Sequence, residues 1–437
     1  MSVNQSLKPI TTKINDNGNI SIGGCDLKEI ANEYGTPLYV IDELTLRTIC
    51  REYKEAFSEY KNIKMMYACK ALCNMAVSKI LSEEGFGFDT VSGGEIYTVY
   101  KTGVCMKDVL FNGNNKSKQE IKFALDCEVG RFSVDNFYEA GLLDKLAKER
   151  NKTAEIFLRI TPGIECHTHD YIQTGQTDSK FGFDLTQVDD IISLINSKYN
   201  NLHIVGLHAH IGSQIFELQS FYDEIIILIK EMERINKKFK LNMNEMNIGG
   251  GVGVKYTEND NPPSIKDLAE IVTKAMKTCS DNLPTIYLEP GRSVISTSGV
   301  TLYTLGSSKQ VPNGKKYIAV DGGMADNPRP AMYQAEYTAE VVNKANYKEK
   351  ERVTIAGRYC ESGDILIEDI ELPKLETGDV ICVYNTGAYN YSMASNYNRV
   401  EKPAMVLVNN SQSDIIVNRE TYEDLVSEDR IPDRLRK

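Results

Sequence analysis

Short apolar runs rich in β-branched and aromatic residues recur along the first two thirds of the chain. Runs of this length that end in Gly, Asp, Asn or His are typical of buried strands. Between them the apolar residues follow helical spacing, as in 74–84 and 136–150. Pro262 and Pro263 precede a further amphipathic stretch at 264–278, where proline suits the start of a helix. The strand-like runs are 63–70, 86–91, 109–113, 132–135, 155–161, 203–211, 243–250 and 285–291.

This alternation of eight strands with helices predicts an α/β fold, and specifically a (β/α)8 barrel. A doubly wound open sheet shows the same alternation and is the structural alternative. We expect the barrel to occupy residues 42–298.

The pattern changes beyond Val300, where strand-like runs are separated by turn signals such as Pro312-Asn313-Gly314 without long helices between them. Residues 20–41 are also strand-like and precede the barrel, with which they could pair. We therefore predict a β-rich domain formed by residues 1–41 plus 299–437. Its strand-like runs are 317–320, 337–342, 352–356 and 380–384.

Composition narrows the class of protein. Hydrophobic residues make up 41% and charged residues 25%, which is ordinary for a globular chain. The net charge of −11 disfavours nucleic acid and anionic membrane as partners. There is no apolar run of the ~18 residues that a membrane span needs, and residues 1–19 lack the apolar region of a signal peptide. The ten cysteines form no C-x-x-C pair. We expect a cytoplasmic enzyme with reduced cysteines.

Reactive groups of a barrel enzyme lie at the C-terminal ends of its strands. The first run ends at Lys70, and burial of such an amine would lower its pKa towards Schiff-base chemistry. A lysine that extends past the strand end into solvent is the alternative. The sixth run contains His208 and His210, which alternation places on one face. They could be metal ligands, a ring stacked on a planar cofactor, or hydrogen-bonded core histidines. His167 and His169 form a similar pair in a loop, where a solvated surface site is the commoner outcome.

The last two runs end in residues suited to an anionic cofactor. Consecutive glycines at 249–251 can direct backbone N–H groups at phosphate, although a plain tight turn is an equal alternative. They do not match the dinucleotide fingerprint G-x-G-x-x-G, whose last glycine would fall on Val254. Glu289 and Arg292 follow the eighth run and could form a simple salt bridge. Together with Lys70 and a flat imidazole, this set suits pyridoxal phosphate.

The β-rich part adds two candidate clusters. Arg329 lies between two prolines, which hold it stiffly and suit it to bind a carboxylate through two parallel hydrogen bonds. Cys360 stands beside Glu361, a pairing that suggests proton transfer, although free cysteines are more often structural.

Five motifs in this order resemble those of the fold-type III pyridoxal-phosphate decarboxylases, and the resemblance extends from about residue 20 to residue 420. They are Tyr-Ala-x-Lys-Ala at 67–71, His-x-His-Ile-Gly-Ser-Gln at 208–214, Gly-Gly-Gly at 249–251, Glu-Pro-Gly-Arg at 289–292, and Cys-Glu-Ser-x-Asp at 360–364. The loop from His167 to Gly182 is also similar to that of the family.

The resemblance implies roles for individual residues. Lys70 would hold pyridoxal phosphate covalently, His210 would stack on its ring, and Glu289 would pair with the pyridinium nitrogen. Cys360 would be the proton donor, and Glu361 would bind the distal amino group of the substrate. The phosphate would be contacted by Ser213, Gly251 and Tyr389. The carboxylate that does not react would be held by Arg292, Arg329 and Tyr333. Arg292 and Tyr389 would each contact both cofactor and substrate.

The motifs are most similar to those of members that convert meso-2,6-diaminopimelate to L-lysine and carbon dioxide. Members with the same barrel act instead on ornithine, lysine, arginine or a carrier-bound glutamyl group, and these substrates remain open. The family forms homodimers with shared sites, in which Cys360 and Glu361 would come from the partner subunit. The chain departs from the usual residues of the family at Cys69, Ala209 and 72–74, and these departures bear on substrate preference.

Two alternatives of another class stay open. One is a metal-dependent barrel hydrolase, with His208 and His210 as ligands and Lys70 as a bridging group. The other is a non-catalytic carrier of the cofactor.

Overall fold

The computed structural model describes residues 2–164, 179–278 and 283–436. The chain divides into two compact units. The first comprises Met1–Ser6, Leu46–Lys255 and Asn259–Ser296, and the second comprises Leu7–Thr45, Tyr256–Glu258 and Thr297–Lys437.

The first unit is a closed parallel barrel. Each strand pairs with its neighbour in chain order, and the eighth strand returns to the first, with Ile286 aligned to Ile63 and Leu288 to Met65. The predicted barrel is therefore confirmed, and the alternative of an open doubly wound sheet is wrong. Its strands in the described chain are Ile63–Ala68, Gly87–Thr90, Val109–Phe111, Arg131–Val134, Ala154–Thr161, Leu202–His208, Glu245–Asn247 and Thr285–Leu288. A short strand, Phe183–Asp184, adds to the fifth of these.

Helices follow the barrel strands, and side-chain caps fix where several of them begin. The Asn74 side chain accepts a hydrogen bond from the Val77 N–H, and Asn136 accepts one from Glu139. Ser264 caps the helix after the two prolines. The helices are Glu43–Ala56, Met75–Glu83, Gly93–Lys101, Lys118–Asp126, Phe137–Lys148, Val188–Lys198, Gln219–Phe239, Ile265–Lys277 and Arg292–Ile295.

Large side chains fill the barrel interior. Met66, Leu110, Phe157, Val205 and Tyr287 form one buried cluster, in which the rings of Phe157 and Tyr287 meet edge to face at 5.1 Å. Because the interior is packed, polar groups from the strands are left to gather at the strand ends.

The second unit is built mainly from β-structure. Leu38–Asp42 pairs with Gly299–Gln310 on one side and with Ala404–Asn409 on the other. Residues 20–41, expected as strand, contain the helix Leu27–Tyr34, because the Asp26 side chain caps its N-terminus. The other strands are Lys13–Ile14, Ile20–Ile22, Cys25–Asp26, Lys316–Val320, Ala339–Val341, Lys350–Ala356, Ile365–Pro373, Val380–Val383 and Gln412–Val417, and the other helices are Arg329–Tyr333 and Tyr422–Val426.

Across the described residues, no helix combines the length and the apolar character that a membrane crossing requires.

Glu224 is an unusual buried group on the helix Gln219–Phe239. Its side chain is 0% exposed, and neither carboxylate oxygen has a hydrogen-bond partner among the described residues. Burial raises the pKa of Glu224 well above its ordinary value, and the nearby charge of Glu289 raises it further. The folded state therefore binds a proton that the unfolded state releases above about pH 4.3. The free energy of unfolding that this protonated carboxyl supports is therefore present at low pH and is lost as the pH rises.

Replacing Glu224 by methionine should stabilise the barrel, because the variant buries no unpaired polar group. We expect a gain of about 1–3 kcal/mol in the free energy of unfolding, and the gain should widen between pH 5 and pH 8. Urea unfolding at both pH values measures it. Glu233→Met, which changes an exposed residue of the same helix, is the control. An equal gain at both pH values would contradict the conclusion that Glu224 is buried in its neutral, protonated form.

Candidate active site

Lys70 follows the first barrel strand in the short turn Cys69–Ala71. Its side chain is exposed, so the expectation of a buried amine is wrong and the alternative of an extended lysine holds. The physical reason is that the strand ends at Ala68, two residues before the lysine. The ammonium still acts electrostatically on Asp89 and His210. Lys70 therefore lies at the mouth of the barrel beside other polar groups.

Asp89 is a site residue that the sequence reasoning missed. It lies on the second strand, Gly87–Thr90, and its side chain is 1% exposed. Burial, and then repulsion from Glu289, raises the pKa of Asp89 to about 8, while Lys70 opposes the rise. The only available signal was its place at the end of an apolar strand.

His210 lies against the glycine turn that follows the seventh strand. Gly249 has a φ of 59°, and a Cβ there would lie 2.6 Å from the Nδ1 of His210. The Gly250 N–H points at the same Nδ1 over 3.3 Å. Burial, followed by the charge of Lys70, lowers the pKa of His210 well below its ordinary value. The imidazole is therefore neutral, with its Nδ1 edge towards the backbone of the glycine turn and its proton on Nε2.

Ser213, Gly251 and Arg292 are brought together as one cluster. Arg292 is buried, and its Nε and Nη2 donate to the Ser213 Oγ over 3.2 and 3.0 Å. Gly251 has a φ of 128°, and a Cβ there would lie 2.4 Å from the Gly212 carbonyl oxygen. Only glycine fits this close approach. A buried cation, a hydroxyl and bare backbone together suit a phosphate group.

Glu289 lies at the end of the eighth strand with 6% exposure. Asn112 and Asn247, both missed by the sequence reasoning, donate to its Oε1 over 3.1 and 2.6 Å. Burial by itself raises the pKa of Glu289, but the charge that the His208 ring carries at low pH and the Asn247 amide outweigh it and lower the pKa to about 2. The carboxylate is therefore ionised at neutral pH.

Arg159 is a further missed residue, on the fifth strand. Its guanidinium is 3.8 Å from an Asp135 carboxylate oxygen and 4.3 Å from the centre of the Phe181 ring. Burial lowers the pKa of Arg159 from its ordinary value. An arginine flanked on both sides by apolar residues of a strand was a signal that could have found it.

In the second unit, Arg329 and Tyr333 share the helix Arg329–Tyr333. The Arg329 Nη1 donates to the Tyr337 hydroxyl over 2.6 Å, and its guanidinium lies 4.9 Å from the centre of the Tyr256 ring. Tyr389 acts electrostatically on the same arginine and has a φ of 62°. Arg329 is therefore a buried cation among tyrosines.

Cys360 and Glu361 are exposed in a turn of the second unit. The buried Asp364 carboxylate anchors this turn by accepting hydrogen bonds from the Tyr359 and Met324 N–H groups over 2.8 and 2.7 Å. The two side chains are thus held at the surface. His167, His169 and most of the loop to Gly182 lie outside the described residues.

The residues at the barrel mouth fit pyridoxal phosphate. A primary amine, a neutral flat imidazole, an ionised carboxylate and an arginine–serine–glycine cluster match its aldehyde, ring, ring nitrogen and phosphate. The Asn112 Oδ1 and the His208 Nε2 are buried without a hydrogen-bond partner among the described residues. Such unpaired polar atoms are expected where a polar ligand belongs.

The fold and this site define a barrel decarboxylase that uses pyridoxal phosphate. Residues 46–296 match the family described as "Pyridoxal-dependent decarboxylase, pyridoxal binding domain". The chain is 45% identical over 450 residues to a diaminopimelate decarboxylase of Synechocystis, covering 99% of this chain and 95% of that one. It is 44% identical to the Bacillus subtilis enzyme of that name, covering 96% and 97%.

A crystal structure of diaminopimelate decarboxylase from M. jannaschii in complex with L-lysine is similar throughout. The TM-score is 0.92 at 36% identity, with 98% of this chain and 100% of that chain covered. The chain belongs to the diaminopimelate decarboxylase family of carboxy-lyases.

His208 ends the sixth strand and His210 lies two residues beyond it, and the two histidines are engaged in different ways. The Nδ1 of His208 contacts the Ser133 hydroxyl, whereas the Nδ1 of His210 faces a backbone N–H. Within the described residues, no cluster of three or more His, Cys, Asp and Glu side chains suits a metal ion. The family and these contacts favour the decarboxylase over the metal-dependent hydrolase.

Proposed function

We propose that the protein decarboxylates meso-2,6-diaminopimelate to L-lysine and carbon dioxide, as a step of lysine biosynthesis in the cytoplasm. The observation that carries the proposal is the convergence of Lys70, His210 and Glu289 on one end of the barrel, in a chain 44–45% identical to enzymes of that name. L-lysine bound to the M. jannaschii enzyme supports the identity of the product.

Pyridoxal phosphate supplies a ring that accepts the negative charge left when carbon dioxide departs. Lys70 would attach the cofactor through its amine, and the neutral His210 would cover one face of the ring. Glu289 would keep a proton on the ring nitrogen, because an adjacent anion favours the charged form of a base. The phosphate would bind to Ser213, Gly251, Arg292 and Tyr389.

Substrate selection is assigned to the arginines and to Glu361. Arg329, Arg292 and Tyr333 would hold the carboxylate that does not react, so that the other one is placed to leave. Tyr389 would contact both substrate and cofactor, and Glu361 would bind the distal amino group. Cys360 would protonate the carbon that loses carbon dioxide. A carrier of the cofactor would have no use for Arg329 or Glu361.

A carbon dioxide release assay tests the function. With pyridoxal phosphate added, we expect release from meso-diaminopimelate and at most trace release from ornithine, lysine and arginine. Faster release from another diamino acid would reassign the substrate within the family. No release from any of them would favour the carrier.

We also propose a homodimer with shared sites, because Cys360 and Glu361 are held at the surface by Asp364. Mixing Lys70→Ala with Cys360→Ala protein should then restore part of the activity, since one site of a mixed dimer keeps both residues. Mass spectrometry verifies the exchange of subunits. Mixed dimers that stay inactive would contradict sharing.

A further inference from the structure

The carboxylate of Glu289 is held by neutral side chains. Asn112 and Asn247 donate to Oε1, and the Nε2 of His208 lies 3.6 Å from Oε2, which is longer than a hydrogen bond. Burial lowers the pKa of His208, so this ring is uncharged at neutral pH. Among the described residues, no cation contacts this carboxylate directly. Its negative charge is therefore left unpaired.

The proton of the His208 ring can be placed from its other contact. Nδ1 lies 2.7 Å from the Oγ of Ser133, which is fully buried on the fourth strand. When the hydroxyl donates to Nδ1, the single ring proton lies on Nε2 and faces the Glu289 Oε2. The opposite tautomer would place a lone pair against an anion. The Nε2–H form is therefore favoured.

We propose that His208 is a positioning residue: fixed by Ser133, it turns a neutral N–H towards the Oε2 of Glu289 across 3.6 Å and so orients this oxygen while leaving its charge for the ring nitrogen of pyridoxal phosphate. This inference rests on the proposed function. A cationic side chain at the same place would compete with the ring nitrogen for the carboxylate. A neutral N–H dipole at this distance orients Oε2 electrostatically without neutralising it.

The other charged groups near His208 are consistent with this role. Arg159 and Asp135 act on the ring electrostatically and in opposite directions. Asp89 has its pKa raised to about 8 and is largely uncharged at pH 7. None of them replaces the contact between His208 and Oε2.

The test compares His208→Leu, His208→Gln and Ser133→Ala with the control His203→Leu, which changes an exposed histidine of the same strand. We measure the Kd of pyridoxal phosphate for each apoenzyme by fluorescence, then kcat, KM and urea unfolding. His208→Leu should raise the Kd about tenfold and lower kcat about tenfold, with KM within about twofold. Glutamine keeps a neutral donor and should restore both values to within about threefold.

Ser133→Ala should shift Kd and kcat in the same direction by about threefold, and it carries the test if His208→Leu does not fold. His203→Leu should match the wild type. A wild-type Kd and kcat in His208→Leu, with only its unfolding changed, would mean a structural role and would overturn the proposal. A wild-type protein that binds no pyridoxal phosphate would instead overturn the proposed function, and this inference with it.

Discussion

Replacing Lys70 by alanine is expected to yield protein without covalently held cofactor and with carbon dioxide release reduced by about 10³-fold or more. The reason is that the amine both attaches the cofactor and holds it at the barrel mouth, where Lys70 acts electrostatically on Asp89 and His210. Absorbance of the purified protein shows whether the yellow adduct is present. Borohydride reduction followed by peptide mass mapping locates the modified lysine in the wild type.

Lys79→Ala is the matched control, because Lys79 is an exposed lysine on the next helix. It should retain the yellow adduct and wild-type turnover. A reduced adduct mapped to another lysine, or an adduct retained by Lys70→Ala, would refute the assignment of Lys70.

Glu289→Gln should lower kcat by about 10² or more while the variant still binds pyridoxal phosphate. Glutamine keeps the shape of the side chain but removes the negative charge that would keep the ring nitrogen protonated. The wild-type carboxylate is ionised, since its pKa is about 2. Steady-state kinetics and a cofactor titration separate the loss of turnover from a loss of binding.

Glu224→Gln is the control for this change. Glu224 is also buried, but its raised pKa already keeps it neutral, so the substitution removes no charge. Its turnover should stay within about twofold of the wild type. Near-normal turnover in Glu289→Gln itself would show that the carboxylate does not support the ring.

Much of the barrel could be predicted because parallel strands that are buried on both faces appear as continuous apolar runs. Each of the eight predicted runs overlaps a barrel strand, although several extend past the strand end, and Asn74, Asn136 and Ser264 cap helices next to predicted boundaries. Strand ends also identified Lys70, His210 and Glu289 as candidates. The helix Leu27–Tyr34 was not predicted, because its short apolar pattern resembles that of a strand.

The sequence by itself determined the order of strands and helices and the identity of the reactive groups at the strand ends, since both depend on local pattern. Tertiary structure alone decided which side chains meet Glu289. Asn112 directly follows the third strand, whereas His208 and Asn247 end the sixth and seventh, and an isolated polar residue at a strand end carries no sign of its partner. Closure of the barrel brings them together, because it joins the eighth strand to the first. The exposure of Lys70 was likewise decided in three dimensions, by the point at which its strand leaves the sheet.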